Sequence, residues 1–197
     1  MVKEFCYLGD MVDGTGGAEA AVIVRMRAAW NRFREMSSLC ARGVPLKRKG
    51  ELYKASVRSA MVYGAETWPL KESERRKLEA AEMKMLRLMA GVKLVDRKRN
   101  DEIREMLGVE RVGSVIDWSR LRWFGHVVRR SGEMVQEAME EGRRTRSRGR
   151  PRMTWEEGVL RLMKGCGLRR EDAFDRGRWR TAIHGTRPTP AGGENGR

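Results

Sequence analysis

Cysteine, histidine and long apolar runs are all scarce in this chain of 197 residues. The three cysteines, at positions 6, 40 and 166, are odd in number and far apart, which argues against a disulfide framework and suits a reducing compartment. Cys6 and Cys40 read as core residues, while Cys166 and His184 have no close cysteine pair with which to complete a zinc-binding set. His126 has no Ser, Cys or carboxylate placed to form a triad with it, so it reads as a packed or capping side chain. Apolar runs stop after about five residues, far short of the ~20 a spanning helix needs, and acids stand at the N-terminus where a signal peptide would be apolar. The expectation is a soluble, intracellular protein with no membrane partner. Gly14 to Gly17 lacks the Lys-Ser/Thr ending of a phosphate-binding loop.

Positive charge is what the chain has in excess. Lys and Arg number 42 against 27 Asp and Glu, a net charge of +15 with a pI near 10.5, which favours a polyanionic partner, DNA or RNA. The excess is concentrated between Arg143 and Arg152, where six arginines fall in ten residues with no acid among them. Their planar guanidinium forks suit phosphate oxygens better than lysine does. A solvated linker that touches nothing is the bland alternative for such a run. Against it stands Arg148-Gly149-Arg150-Pro151, which resembles the core of the AT-hook, an extended segment lying in the narrow minor groove of A·T-rich DNA. The expected nucleic-acid contacts are Arg143, Arg144, Arg146, Arg148, Arg150 and Arg152, with Arg129 and Arg130 as neighbours on the preceding helix.

Periodicity gives a mainly α chain. Residues 2–13 alternate as a short strand or hairpin ahead of the Gly14 to Gly17 turn, with Asp10 and Asp13 as turn residues; two short strands need other elements to lean on. From Ala18, the stripe Ile23, Met26, Trp30, Phe33 and Cys40, with Val22 and Ala29 beside it, predicts an amphipathic helix ending near Gly43-Val44-Pro45. A second helical stretch follows Lys47-Arg48-Lys49, with Leu52, Tyr53, Val57, Ala60 and Met61 available for packing. Ser73 to Met89 is the strongest helix, capped by Ser73, packed through Leu78, Ala81, Met85 and Leu88 or Met89, and ended by Gly91. Asn100 caps a short helix through Ile103, Met106 and Leu107 to Gly108. Ser114 and Asp117 resemble a capping box for a helix carrying Trp118, Leu121, Trp123, Phe124 and Val127, and Thr154 with Glu157 repeats the device ahead of Trp155, Val159, Leu162 and Met163. A last helical segment spans roughly 170–183. The predicted architecture is a helical bundle with a short N-terminal β-hairpin and a basic linker before C-terminal helices.

The ordered series FCYLGDMVD, LYKASVRSAMVYGAETWPL, RKLEAAEMKMLRLMAGV, DRKRNDEIREMLGV, RLRWFGHVVRR, RGRPRMTW and DRGRWR is similar to the C-terminal part of reverse transcriptases from non-LTR, LINE-type retrotransposons, over almost everything from Phe5 to Arg180. That resemblance implies a partition. Residues 1–17 would be a strand or hairpin remnant of the palm, with Tyr7, Leu8 and Gly9 like the primer grip. Residues 18–95 would be a helical thumb-like region and 96–140 a helical post-thumb region. An Arg-rich, AT-hook-like linker at 141–153, C-terminal helices at 154–184 and a disordered tail at 185–197 complete it. The palm of such enzymes holds two Mg²⁺ ions on paired aspartates; no Asp-Asp pair occurs among these residues, so no catalytic residue, metal or cofactor is expected in this chain. The expectation is a C-terminal fragment that binds template, primer or target DNA without copying it. The palm and fingers of a parent polymerase are a further expected partner. A stand-alone DNA-binding or chromatin-associated protein, and a non-functional relic or protein-interaction module, stay open beside that reading. Lys47-Arg48-Lys49 and the arginine run point to the nucleus.

Overall fold

The computed structural model describes residues 4–7, 10–13, 17–36, 43–130 and 154–185, with side chains from residue 17 onward. Contacts gather these residues into two units, one within Met1–Gly64 and Lys71–Val115, the other within Ala65–Leu70 and Ile116–Arg187. The fold is mainly helical, as the periodicity predicts.

The first unit opens with an antiparallel pair, β1 (Glu4–Tyr7) and β2 (Asp10–Asp13), in the register Glu4 to Asp13 and Tyr7 to Asp10. Asp10 and Asp13 are therefore strand residues rather than turn residues. Only two residues separate the strands, the commonest length for a hairpin connection. Helix α1 (Glu19–Glu35) begins where expected, with Glu19 at the positive end of its dipole, but stops before the predicted Gly43. Its buried stripe is Val22, Ala29, Phe33 and Met36, whereas Ile23 stands 36% exposed. The predicted stripe is thus off by about one residue. Apolar residues occupy both candidate faces, and Ala29 allows a closer approach of neighbouring backbone than Trp30 would.

Helix α2 is continuous through Leu46–Leu52, a wide π-helical turn at Tyr53–Arg58, and Ser59–Met61. The wider turn brings side chains four apart closer to one line. Tyr53, Val57 and Met61 are consequently all buried, and Arg58 is carried inward with them. Leu52 is left on the surface. Helix α3 (Glu72–Ala90) buries Leu78, Glu82, Met85, Leu86 and Met89, and Leu88 is exposed. Its start is Lys71, not Ser73: the Lys71 N–H donates to the Glu74 carboxylate at 2.7 Å. Gly91 ends it at φ 67°, with the Val92 N–H donating to the Arg87 carbonyl at 3.0 Å. Helix α4 (Asn100–Leu107) ends in the same way at Gly108, φ 63°, and its cap residue is Arg99.

Gly50 of α2 is where α4 comes nearest. A Cβ there would lie 1.8 Å from the Leu107 carbonyl oxygen, backbone that cannot swing away. Gly50→Ala is expected to cost ~1–3 kcal/mol or more by overpacking. A chemical-denaturation midpoint equal to that of the wild type would contradict this contact.

Helix α5 (Val112–Arg130) passes from the first unit into the second along its length. In the second unit it meets α6 (Trp155–Gly165), a short 3₁₀ turn at Arg170–Ala173 and α7 (Arg176–His184). Leu121, Phe124, Val159, Met163, Ala173, Trp179 and Ile183 form the core, with Trp155 and Leu162 partly buried against it. Thr154 and Glu157 make the predicted capping box, the Glu157 N–H donating to the Thr154 hydroxyl at 3.2 Å and the Thr154 N–H to the Glu157 carboxylate at 2.9 Å. Asp175 caps α7 through the N–H groups of Gly177 and Arg178. Two sequence blocks meet here. The glycine of Trp-Phe-Gly-His is the one residue type that lets Trp179 cross α5, since a Cβ on Gly125 would sit 2.2 Å from the indole nitrogen. Trp179 donates that N–H to the Leu121 carbonyl at 3.2 Å.

Candidate nucleic-acid interface

The buried chemistry of the first unit converges on Glu82. Its carboxylate is fully enclosed, with one oxygen 3.2 Å from the Arg58 guanidinium and the other 3.5 Å from Arg104. The second oxygen also accepts the Val112 N–H at 3.1 Å, so Glu82 satisfies the first turn of α5 from another helix. The helix starts at Val112, and the predicted Ser114–Asp117 capping box lies inside it. Arg58 further donates to the Glu110 carbonyl at 2.6 Å and pairs with the Glu110 carboxylate. Burial pushes the Glu82 carboxyl above the ordinary carboxylate range, with Arg58, the Val112 N–H and Arg104 pulling it back. The Tyr53 hydroxyl beside it is raised as well, by burial and then by the Glu82 charge. Two arginines and two glutamates cancel, so this cluster holds helices together and presents no net charge to a ligand.

Much of the surface charge is also paired. Arg32 with Glu35, Arg48 with Glu51, Arg76 with Glu72 and Lys77 with Glu19 are exposed pairs of small energetic weight. In a polar cleft of about 380 Å³ lined by Arg76, Glu79, Asn100, Asp101, Arg104 and Arg111, each arginine has a carboxylate partner, Arg111 meeting Asp101 at 2.9 Å, Arg76 meeting Glu72 at 3.2 Å and Arg104 meeting Glu82 at 3.5 Å. The basic triplet is split by the fold: Lys47 and Arg48 are exposed, but Lys49 is buried and donates to the Met89 carbonyl at 3.3 Å. Cys166 is exposed, and burial together with the Asp117 charge raises its thiol pKa, which disfavours the reactive thiolate. Among the described residues no group of three or more His, Cys, Asp or Glu is arranged to hold a metal ion. No helix among them is long and apolar enough to cross a membrane.

Of the predicted contact residues, Arg129 and Arg130 close α5. Arg130 is exposed, and Arg129 donates to the Ala173 carbonyl at 2.8 Å. Arg143, Arg144, Arg146, Arg148, Arg150 and Arg152 lie outside the described residues, as do Leu8, Gly9 and Cys40. The tail from 186 onward also lies outside them. Tyr7 is the last residue of β1.

Trp123, from the apolar set predicted for this helix, and His126, expected to be packed or capping, are both on the surface. Trp123 is 38% exposed, and His126, also exposed, stacks on it with ring centroids 5.3 Å apart and 25° between planes. Spacings of three and four place Trp123, His126 and Arg130 along one helical face. Phe124 and Leu121 claim the core face of α5, which turns Trp123 outward. The sequence carries one signal of this, a Trp beside a Phe in a helix, where adjacent residues cannot share a face.

No protein-family model matches the sequence, and no solved structure matches the chain. Over 165 residues the chain is 26% identical to an uncharacterized transposon-derived protein of Caenorhabditis elegans. The match takes in 80% of this chain, which spans 59% of the length of that curated relative. The likeness points to a transposon origin.

Proposed function

We propose that this chain is the C-terminal, thumb and post-thumb part of a non-LTR retrotransposon reverse transcriptase, binding nucleic acid without catalysing polymerisation. The observation that carries the reading is the similarity to a transposon-derived protein over 80% of the chain. The net charge of +15 supplies the attraction to phosphate. The arginine run would hold the backbone. Trp123 and His126, with Arg130 beside them, offer a stacking platform of the kind on which unpaired bases rest. Lacking an Asp-Asp pair, the chain has no obvious means of binding two Mg²⁺ ions for nucleotide transfer. It acts in the nucleus, on DNA or an RNA–DNA duplex.

Anisotropy titrations of labelled duplex and single-stranded probes across a range of salt test this. If about six phosphates are neutralised, log affinity should fall with log salt at a slope of roughly −5 on duplex DNA. Trp123→Ala should weaken single-strand binding by roughly tenfold, the loss of one stacked base. A flat salt response, or primer extension by the purified chain alone, would overturn the reading. Arg148-Gly149-Arg150-Pro151 favours a second reading, a free-standing A·T-directed DNA binder, and a marked A·T preference with no affinity for RNA–DNA hybrid would select it.

A further inference from the structure

Between α3 and α4 the chain makes a tight 3₁₀ turn at Leu94–Asp96 that presents Leu94 and Val95 to solvent, each 80% exposed, the highest values among the large apolar side chains of the described residues. The turn is held from both sides. The Asp96 carboxylate accepts the Lys93 N–H at 2.7 Å, and the Arg97 N–H donates to the Leu94 carbonyl at 3.2 Å. Arg97 closes it in the left-handed region at φ 50°, a conformation that non-glycine residues adopt only when their surroundings hold them there. Arg87 fastens the exit, donating to the Lys98 carbonyl at 3.0 Å and the Asn100 side chain at 2.9 Å. Around the apolar tip stand Lys93, Arg97, Lys98 and Arg99, all exposed. The single acid within the turn, Asp96, already accepts a backbone N–H.

We infer that the Lys93–Arg99 turn is a wedge for duplex nucleic acid, Leu94 and Val95 entering a base step from the minor groove while Lys93, Arg97 and Lys98 hold the flanking phosphates. Aliphatic side chains at the tip of a braced element, with cations on either flank, are what such insertion requires. Two side chains offer far too little area for a stable protein interface, which needs ~800 Å² per partner. They also lack the long apolar face with which a helix lies on a membrane. The inference rests on the nucleic-acid reading above and adds to it a second, apolar point of contact in the first unit. Arg99 is engaged with Glu102 at 2.8 Å and contributes less than its neighbours.

The test uses the whole chain and an A·T-rich duplex carrying 2-aminopurine, whose fluorescence rises when its step is unstacked. Wild-type protein should raise the signal severalfold. Leu94→Ala/Val95→Ala should abolish that rise and weaken binding by roughly tenfold, with the salt slope unchanged because no phosphate contact is lost. Lys93→Ala/Arg97→Ala/Lys98→Ala should lower the slope by roughly 2–3. All these positions are exposed, so thermal melts of the variants should overlay the wild type. If the double variant binds and unstacks as well as wild type, the wedge is wrong and duplex binding survives without it. If wild type binds no duplex, both readings fall together. Loss of self-association in the double variant, or loss of binding to phosphatidylserine vesicles, with duplex binding unchanged, would assign the tip to a second copy or a membrane and overturn the wedge.

Discussion

Glu82→Ala is expected to lower the stability of the first unit by about 3–5 kcal/mol, the usual cost of removing one partner from a buried ion network. Three groups lose their acceptor at once: Arg58, Arg104 and the Val112 N–H at the start of α5. Glu82→Gln should cost much less, because the amide oxygen still accepts that N–H and Arg58 keeps Glu110. The two variants also separate by pH. The Glu82 pKa is raised from its ordinary 4.5 in the folded chain, so the folded state binds this proton more tightly than the unfolded state does. That contribution is fully present below pH ~4.3 and is lost as the pH rises through the elevated folded value. Glutamine has no such titration, and the gap between wild type and Glu82→Gln should narrow as the pH rises. Urea melts of wild type and both variants across this range check the claim. A gap that widens with pH, or a Glu82→Ala variant as stable as wild type, would show that the carboxylate does not join these helices.

Changing all six arginines from Arg143 to Arg152 to alanine is expected to remove most of the salt-dependent affinity for duplex. The run's share of the slope, roughly −5, corresponds to about a thousandfold weakening between 50 and 200 mM salt, and the sixfold variant should lose that share and keep only what the Lys93–Arg99 turn contributes. The loss should be similar for every sequence, since phosphate contacts position the protein without reading bases. Arg148→Ala/Arg150→Ala should instead remove a smaller part of the affinity together with any A·T preference. Competition titrations with A·T-rich and G·C-rich duplexes at two salt concentrations distinguish the cases. An unchanged salt slope in the sixfold variant would show that the polyanion is held elsewhere, and an A·T preference surviving the double change would end the comparison with the AT-hook.

Local chemistry was readable wherever a residue determines its own backbone. Gly91 and Gly108 end their helices because an αL residue is needed there, and Thr154 with Glu157 opens α6 because both partners of the cap lie within one turn. Asn100 was one residue late as a cap, and Ser73 two, because Arg99 and Lys71 hold the extended backbone at those helix starts. Glu74 also reaches back to the Lys71 N–H, a bond that any acid three positions on can make. The start of α5 was beyond such reasoning. Its capping carboxylate comes from Glu82, 30 residues upstream, and nothing near Val112 announces it.

The candidate interface divides along the same line. The charge excess, the arginine run and the similarity to a transposon-derived protein follow from composition and sequence alone, because net charge and sequence likeness do not depend on how the chain packs. Which apolar residues face outward does depend on it. Trp123 and Ile23 fit a buried stripe as well as their neighbours do, and only the approach of Trp179 over Gly125 and the small Ala29 settle which face is covered. The bracing of Leu94 and Val95 likewise needs Arg87 from the preceding helix. From the residues alone came helices, their ends and a demand for an anion. Tertiary contact decided which side chains remain outside, since burial is a property of pairs of elements and each helix carries more apolar surface than one neighbour can cover.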